Sequence, residues 1–347
     1  MLEVPLAATQ LADPVSEENG RANDGEGDRD DGGQWHACSL DRARRECQTL
    51  AVPELPDLVR IEDELQRTIA GKRVDAARTG DPLVLRVMVS EPFPGVLVGR
   101  RLEEVRRRGH FMRFSLEGGL VLVINAMLAG RYKLVAAPGD GGSTPNSKSK
   151  SKKDPVSLGL ALVFEGGPEL QYVDDKRMGK VYVATAADEA KIPVYGKLGV
   201  DPLSPDFTRE AFGALIAKRR DQVRMFLMDK VAIASIGNAY ADEILFAAGL
   251  HPKTFCHKLA PAQIDALHDA IPRVLTGAIA EIRRRAEPID VKVRDFLAVR
   301  GRDGKPCRVC GTTIRAVRVG DGDACFCPAC QPAARKLFVD WSKLPRN

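Results

Sequence analysis

Residues 52–57 read Val-Pro-Glu-Leu-Pro-Asp, and beyond them Leu58, Ile61, Leu65 and Ile69 recur at spacings of three and four before Gly71. That period marks one face of an amphipathic helix, and glycine is the residue type that stops one. From Lys72 to about Tyr182 the apolar pattern shortens to strands, at 111–116, 120–125, 131–136, 158–164 and 169–173. Glu117-Gly118-Gly119 and Gly166-Gly167-Pro168 punctuate them as turns. An all-β module follows, with a sandwich as its expected form. Beyond Pro202 the period becomes helical again, over 208–218, 221–230, 238–248, 261–285 and 289–298, broken at Gly237 and Gly249.

Past the last helix the chain is built around cysteine. Five of its eight cysteines lie between Cys307 and Cys330. Clustering in pairs, where a disulfide framework would spread them along the chain, reads as metal binding. Cys307-Arg308-Val309-Cys310 and Cys327-Pro328-Ala329-Cys330 are two C-x-x-C knuckles sixteen residues apart. Each knuckle turns tightly enough to put two thiolates on one ion, and the four complete the tetrahedron of a single structural Zn²⁺. Cys325 lies outside a knuckle and is read as a non-ligand.

Upstream of Val52 the composition is of another kind. Residues 1–51 carry eleven acids and five arginines, so the remaining chain holds 47 basic against 36 acidic side chains, and the overall +5 averages two unlike segments. Residues 12–34 have almost no apolar periodicity and are expected to be disordered. The Gly/Ser/Lys-rich stretch 138–155 is expected to be a flexible surface loop, and its Lys148, Lys150, Lys152 and Lys153 to attract nucleic acid or simply to be solvated. No apolar run approaches the roughly 18–20 residues that cross a bilayer. The expectation is a cytosolic protein in three modules with no membrane partner. In detail this is an acidic extension at 1–51, a β-sandwich at 52–200, an all-α module at 201–300, a zinc ribbon at 301–333 and a basic tail at 334–347.

Three stretches occur in order: Val52 to Asp57, Val231-Ala-Ile-Ala-Ser-Ile-Gly-Asn-Ala-Tyr-Ala-Asp-Glu243, and Gly301-Arg-Asp-Gly-Lys-Pro-Cys-Arg-Val-Cys-Gly311. Together they closely resemble the formamidopyrimidine-DNA glycosylase/endonuclease VIII family, over residues 52 to about 331. The resemblance implies an α+β multidomain fold: an N-terminal β-sandwich with a leading helix, a helix–two-turn–helix domain and a C-terminal zinc finger, with damaged double-stranded DNA in the cleft between. It implies a bacterial, cytoplasmic, monomeric repair enzyme working on nucleoid DNA. Its chemistry would be removal of oxidised bases: a flipped base, attack on the deoxyribose C1′ by the secondary amine of an N-terminal proline, and a Schiff base that undergoes strand-cleaving elimination. Flipping is a physical necessity, because C1′ is out of reach inside a stacked duplex.

Carried over by position, Pro53 matches the nucleophile and Glu54 the carboxylate that shuttles protons. His110, in Arg107-Arg108-Gly109-His110, stands where the family has a lysine, and retains a capacity to contact phosphate or transfer a proton. Lys153, Lys176 and the adjoining Arg177 match DNA-contacting positions. Asn238 matches a phosphate-gripping asparagine, with a plain helix N-cap as the alternative. In Asn125-Ala126-Met127-Leu128-Ala129-Gly130-Arg131, Leu128 matches the apolar wedge that fills the hole left by the flipped base, with a strand-end core residue as the alternative.

Three departures stand out. The family's lysine is His110, the arginine of its zinc hairpin is Gly322, and the segment between Val293 and Gly301 is too short for a lesion-covering loop. A fourth concerns the nucleophile, since the nitrogen of Pro53 behind Val52 is a tertiary amide with no lone pair to give. A bacterial start at the valine codon 52, translated as Met and then trimmed, would free it. The alternatives are a genuine acidic extension and a non-catalytic binder of damaged or abasic DNA.

Overall fold

The structure, a computed structural model, describes residues 53–135 and 158–333. The acidic segment with Val52, the lysine-rich loop with Lys153, and the basic tail lie outside the described residues. Helix α1 (Leu55–Ile69) opens the described chain, with Pro56 in its first turn, where a missing N–H costs nothing. Gly71 follows with φ +83°, a conformation that only glycine adopts freely.

Nine strands form two sheets behind α1: β1 (Val74–Arg78), β2 (Leu85–Val87), β3 (Leu102–Arg108), β4 (Phe111–Leu116), β5 (Leu120–Asn125), β6 (Gly130–Val135), β7 (Leu158–Phe164), β8 (Glu169–Asp174) and β9 (Lys180–Thr185). One sheet runs β1-β7-β8-β6 and the other β2-β9-β5-β4-β3. All pairings are antiparallel except β2 with β9. Side chains of both sheets and of α1 share one core, so the expected sandwich is what forms. β5 is apolar on both faces for a reason: Leu122 and Ile124 point into the sandwich. Val121 and Val123 pack outward against Phe111, Ile192 and Tyr195.

The helical module comprises α2 (Arg209–Ala217), α3 (Val223–Met228), α4 (Asn238–Ala247) and α5 (Pro261–Arg285). The expected helix over 289–298 is absent, and that stretch is irregular. At its end the backbone is tied to another element. The Glu243 carboxylate accepts from the amides of Ala298, Val299 and Arg300 at 2.7–2.9 Å. Arg294 is meanwhile drawn away into an ion pair with Asp57. The ribbon is a hairpin of β10 (Arg315–Val319) and β11 (Gly322–Phe326).

α1 ties the modules together. Leu55 belongs to the helical core, whereas Leu58, Ile61, Leu65 and Ile69 belong to the sandwich. The first turn of α1, and with it Pro53 and Glu54, therefore lies at the seam.

Candidate active site and nucleic-acid interface

Glu54 is buried, 8% exposed, and its carboxylate accepts from the amides of Ala239 (3.0 Å) and Tyr240 (3.2 Å) in the first turn of α4. A helix start offers unpaired N–H groups and a favourable dipole to a carboxylate. This docking explains Gly237. A Cβ there would stand 2.4 Å from Glu54 Cδ, so any side chain would expel the carboxylate. Burial raises the pKa of Glu54, while Arg294 and the two amides pull the other way.

The Glu54 amide donates to Asp57 Oδ2 at 2.8 Å, and Asp57 takes both arms of Arg294, whose guanidinium lies 5.2 Å from the Tyr240 ring centroid. Pro53 is buried beside this pair and lines a cavity with Arg131, Tyr132, Ile289 and Lys292. Burial pushes the Lys292 amine down to about 8, against the pull of Asp57.

Asn238 is the first residue of α4 and Gly237 holds the cap position, so the plain N-cap alternative is not what forms. The Asn238 side chain instead accepts, through Oδ1, from Arg224 Nη2 at 2.9 Å. Arg224 is fully buried and ion-paired to the equally buried Asp242 at 2.8 Å. Asp242 also accepts from Arg300 Nη1 and from the Cys325 amide, both at 3.0 Å, which pins the ribbon to the helical module. Gly322 sits directly on this cluster, where a Cβ would meet Asn238 Oδ1 at 3.5 Å and Arg224 Nη1 at 3.9 Å. Buried Arg224 therefore lies beneath Gly322.

His110 occupies the turn between β3 and β4, its ring tilted by 39° against that of Phe111 with centroids 4.3 Å apart. Burial, with Lys230 nearby, pushes it down to about 3, so it is neutral at pH 7. It is not among the residues lining the Pro53 cavity. Lys230, which sequence reading passed over, supplies a cation beside it.

Leu128 is 50% exposed at the turn between β5 and β6, while its neighbours Ala126 and Ala129 are buried. The turn is tight: Met127 has φ +45°, and a Cβ on Gly130 would stand 2.3 Å from the Ala126 carbonyl oxygen. Leu128 is thus held out of the core. Lys176 and Arg177 are exposed in the turn between β8 and β9, which Asp174 organises by accepting from the amides of Lys176 (3.0 Å) and Gly179 (2.6 Å). Arg177 is partly engaged by Asp81 at 3.4 Å.

The sulfurs of Cys307, Cys310, Cys327 and Cys330 all lie within 4.8 Å of one another, a set capable of coordinating a metal ion. Cys325 is outside it and packs with Val299 and Ile314. Of the residues that sequence reading missed, Asp57, Arg294 and Arg224 are held by partners distant in the chain, and Lys230 and Lys292 are brought beside His110 and Pro53 by the fold. An alternating Val291-Lys-Val-Arg294 run is the one local hint of buried charge.

Three family models match in chain order: the formamidopyrimidine-DNA glycosylase N-terminal domain over residues 52–181, its H2TH domain over 198–286, and a zinc finger found in FPG and IleRS over 304–333. A formamidopyrimidine-DNA glycosylase of Symbiobacterium thermophilum is 31% identical over 287 residues, covering 81% of this chain and 90% of that protein. The crystal structure of the MutM (Fpg) protein of Thermus thermophilus superposes with a TM-score of 0.66 at 30% identity, covering 80% of this chain and 98% of that one. A Lactococcus lactis Fpg bound to DNA containing N7-benzyl-Fapy-dG superposes with a TM-score of 0.68 at 25% identity, covering 81% of this chain and all of that one.

Proposed function

The chain belongs to the formamidopyrimidine-DNA glycosylase family, and from that premise we propose that it is a base-excision repair enzyme, a monomer of the bacterial cytoplasm that removes oxidised bases from double-stranded DNA and cleaves the strand at the abasic site. The observation that carries this reading is the docking of Glu54 on the start of α4, which fixes a protonatable carboxyl beside Pro53 at the seam of two modules.

With Pro53 as the N-terminus, its secondary amine has a lone pair for C1′. The base leaves as the C1′–N bond breaks, and the Glu54 carboxyl, its pKa raised by burial, donates a proton to the sugar ring oxygen. The ring opens to an iminium ion between the Pro53 nitrogen and C1′, whose positive charge acidifies the C2′ protons. Loss of a C2′ proton then expels the 3′ phosphate, and hydrolysis returns the free amine.

Other groups hold the substrate. With Oδ1 taken by Arg224, Asn238 has its Nδ2 donor for a backbone phosphate. Lys176 adds a second phosphate contact, and Arg177 divides itself between DNA and Asp81. Leu128 fills the hole left by the flipped base. Neutral His110 serves as a hydrogen-bonding group, and Lys230 carries the charge at that corner. The four cysteines would hold one structural Zn²⁺, since a tetrahedron with sulfurs about 2.3 Å from the metal needs the close sulfur approach seen here, 3.4 Å between Cys310 and Cys327. The ion would clamp a hairpin too small to have its own core.

The test is the excision rate on an oxidised-base duplex, for protein starting at Pro53, before and after acetylation of that terminus. Acetylation is expected to abolish excision. Glu54→Gln is expected to slow it by about 10²–10⁴, the scale of losing a positioned proton donor. Excision that survives acetylation would overturn the reading. A chain that retains Val52 would, by the Pro53 chemistry alone, be a binder of damaged or abasic DNA.

A further inference from the structure

The cavity that holds Pro53 contains a second amine. Lys292 lines it from the irregular segment after α5, opposite the first turn of α1 and the start of β6. The other charged side chains around this cavity are mostly paired: Asp57 with Arg294, Arg60 with Glu64, Arg131 with Asp175, and Asp290 with Lys133. Glu287 points to solvent. Lys292 alone is half-buried with neither an ion pair nor a hydrogen bond among the described residues. Two cations, Arg131 and Arg294, and two carboxylates, Asp57 and Glu54, act on it in opposite directions.

An amine that is desolvated and set beside other cations is the kind that enzymes use to condense with carbonyls. Water no longer stabilises the ammonium, so a usable fraction is free base near neutral pH. The direction seen for Lys292, down to about 8, agrees.

We propose that Lys292 is a second Schiff-base nucleophile, which acts on the open-chain aldehyde of an abasic site whenever the Pro53 nitrogen is acylated by a preceding residue. The proposal rests on the repair reading of the cavity given above. Lys292 Nζ adds to C1′, and the carbinolamine loses water to give an imine. A C2′ proton passes to the Glu54 carboxylate while the C3′–O bond breaks, the phosphate leaving with the electron pair. Water then hydrolyses the imine, restoring the amine. No oxidant, reductant or metal is required. Excision of an intact base would remain with free Pro53, because the aldehyde must already exist for Lys292 to condense with it.

The experiment uses the full 347-residue chain, with residues 1–52 retained, on a duplex containing an abasic site. Borohydride reduces any imine to a stable adduct, which peptide mass spectrometry locates. The expected adduct is on Lys292, and Lys292→Arg should lower its yield about a hundredfold while binding to a duplex with a tetrahydrofuran abasic analogue changes less than about twofold. Arginine keeps charge and length without a nucleophilic lone pair, and retained binding reports retained fold. An adduct on any other residue, or none, overturns the proposal, whether or not the chain binds DNA. Protein trimmed to begin at Pro53 separates the two ideas: its trapping through Pro53 stands or falls with the repair reading, irrespective of Lys292.

Discussion

The two sides of the Pro53–Glu54 seam are built on opposite plans. On the α4 side every carboxylate is spoken for: Glu54 by the Ala239 and Tyr240 amides, Asp242 by Arg224, Arg300 and the Cys325 amide, and Glu243 by three successive amides. On the side after α5 the backbone is irregular, and an unpaired amine faces the cavity. The difference separates frame from chemistry. Buried carboxylates that are paired hold three modules in register, whereas an amine left without a counter-charge in a desolvated place is available to react.

The frame should break hardest at its most buried pair. Asp242→Ala leaves the Arg224 guanidinium without its counter-charge and is expected to cost about 3–5 kcal/mol, read as a lowered denaturation midpoint. A midpoint unchanged from the parent would show that Arg224 and Asp242 do not anchor the ribbon. Next comes Gly237→Ala. Its Cβ would collide with Glu54, so a loss of about 1–3 kcal/mol is expected together with loss of base excision. Wild-type excision by this variant would mean that Glu54 works from some other position.

Acid should probe the corner at His110. Its folded pKa, about 3, lies below the ordinary 6.5. The unfolded chain therefore binds the extra proton first as pH falls. Stability contributed by neutral His110 is complete above about 6.5 and is lost progressively down to about 3. Between pH 7 and 5 a loss on the order of 1 kcal/mol is expected from this group, and His110→Gln should remove it. His251, pushed down to about 4, acts in the same direction and would leave part of the acid sensitivity in place. Equal acid slopes for parent and variant would refute the buried, neutral histidine. The smallest structural effect belongs to Leu128→Ala, within about 0.5 kcal/mol in stability because the side chain is out of the core. Excision from duplex DNA should nevertheless fall. A large loss of stability would return Leu128 to the core alternative.

Much of the fold is legible in the sequence. Strands β4, β5, β7 and β8 follow from short apolar runs and the glycine turns that bound them, α1 and α5 from their period, and the metal-binding cluster from cysteine spacing. β3 is harder, because Leu-Glu-Glu-Val-Arg-Arg-Arg buries only Leu102 and Val105 and otherwise reads as a solvated charge run. The 289–298 stretch misleads because its apolar spacing suits a helix, while the amides at its end, from Ala298 to Arg300, are claimed by Glu243, some 55 residues away in sequence. Asp57 and Arg294 are 237 residues apart, and no local pattern announces such a pair. The motifs are visible because they are short. What they grip is not, because partners chosen by folding leave no periodic trace.

The Pro53–Glu54 chemistry is tested most directly by trapping. Protein beginning at Pro53, incubated with an oxidised-base duplex and borohydride, should yield one covalent adduct, located by peptide mass spectrometry on the Pro53 nitrogen. An adduct confined to another residue, or base release with no trappable adduct, would contradict it.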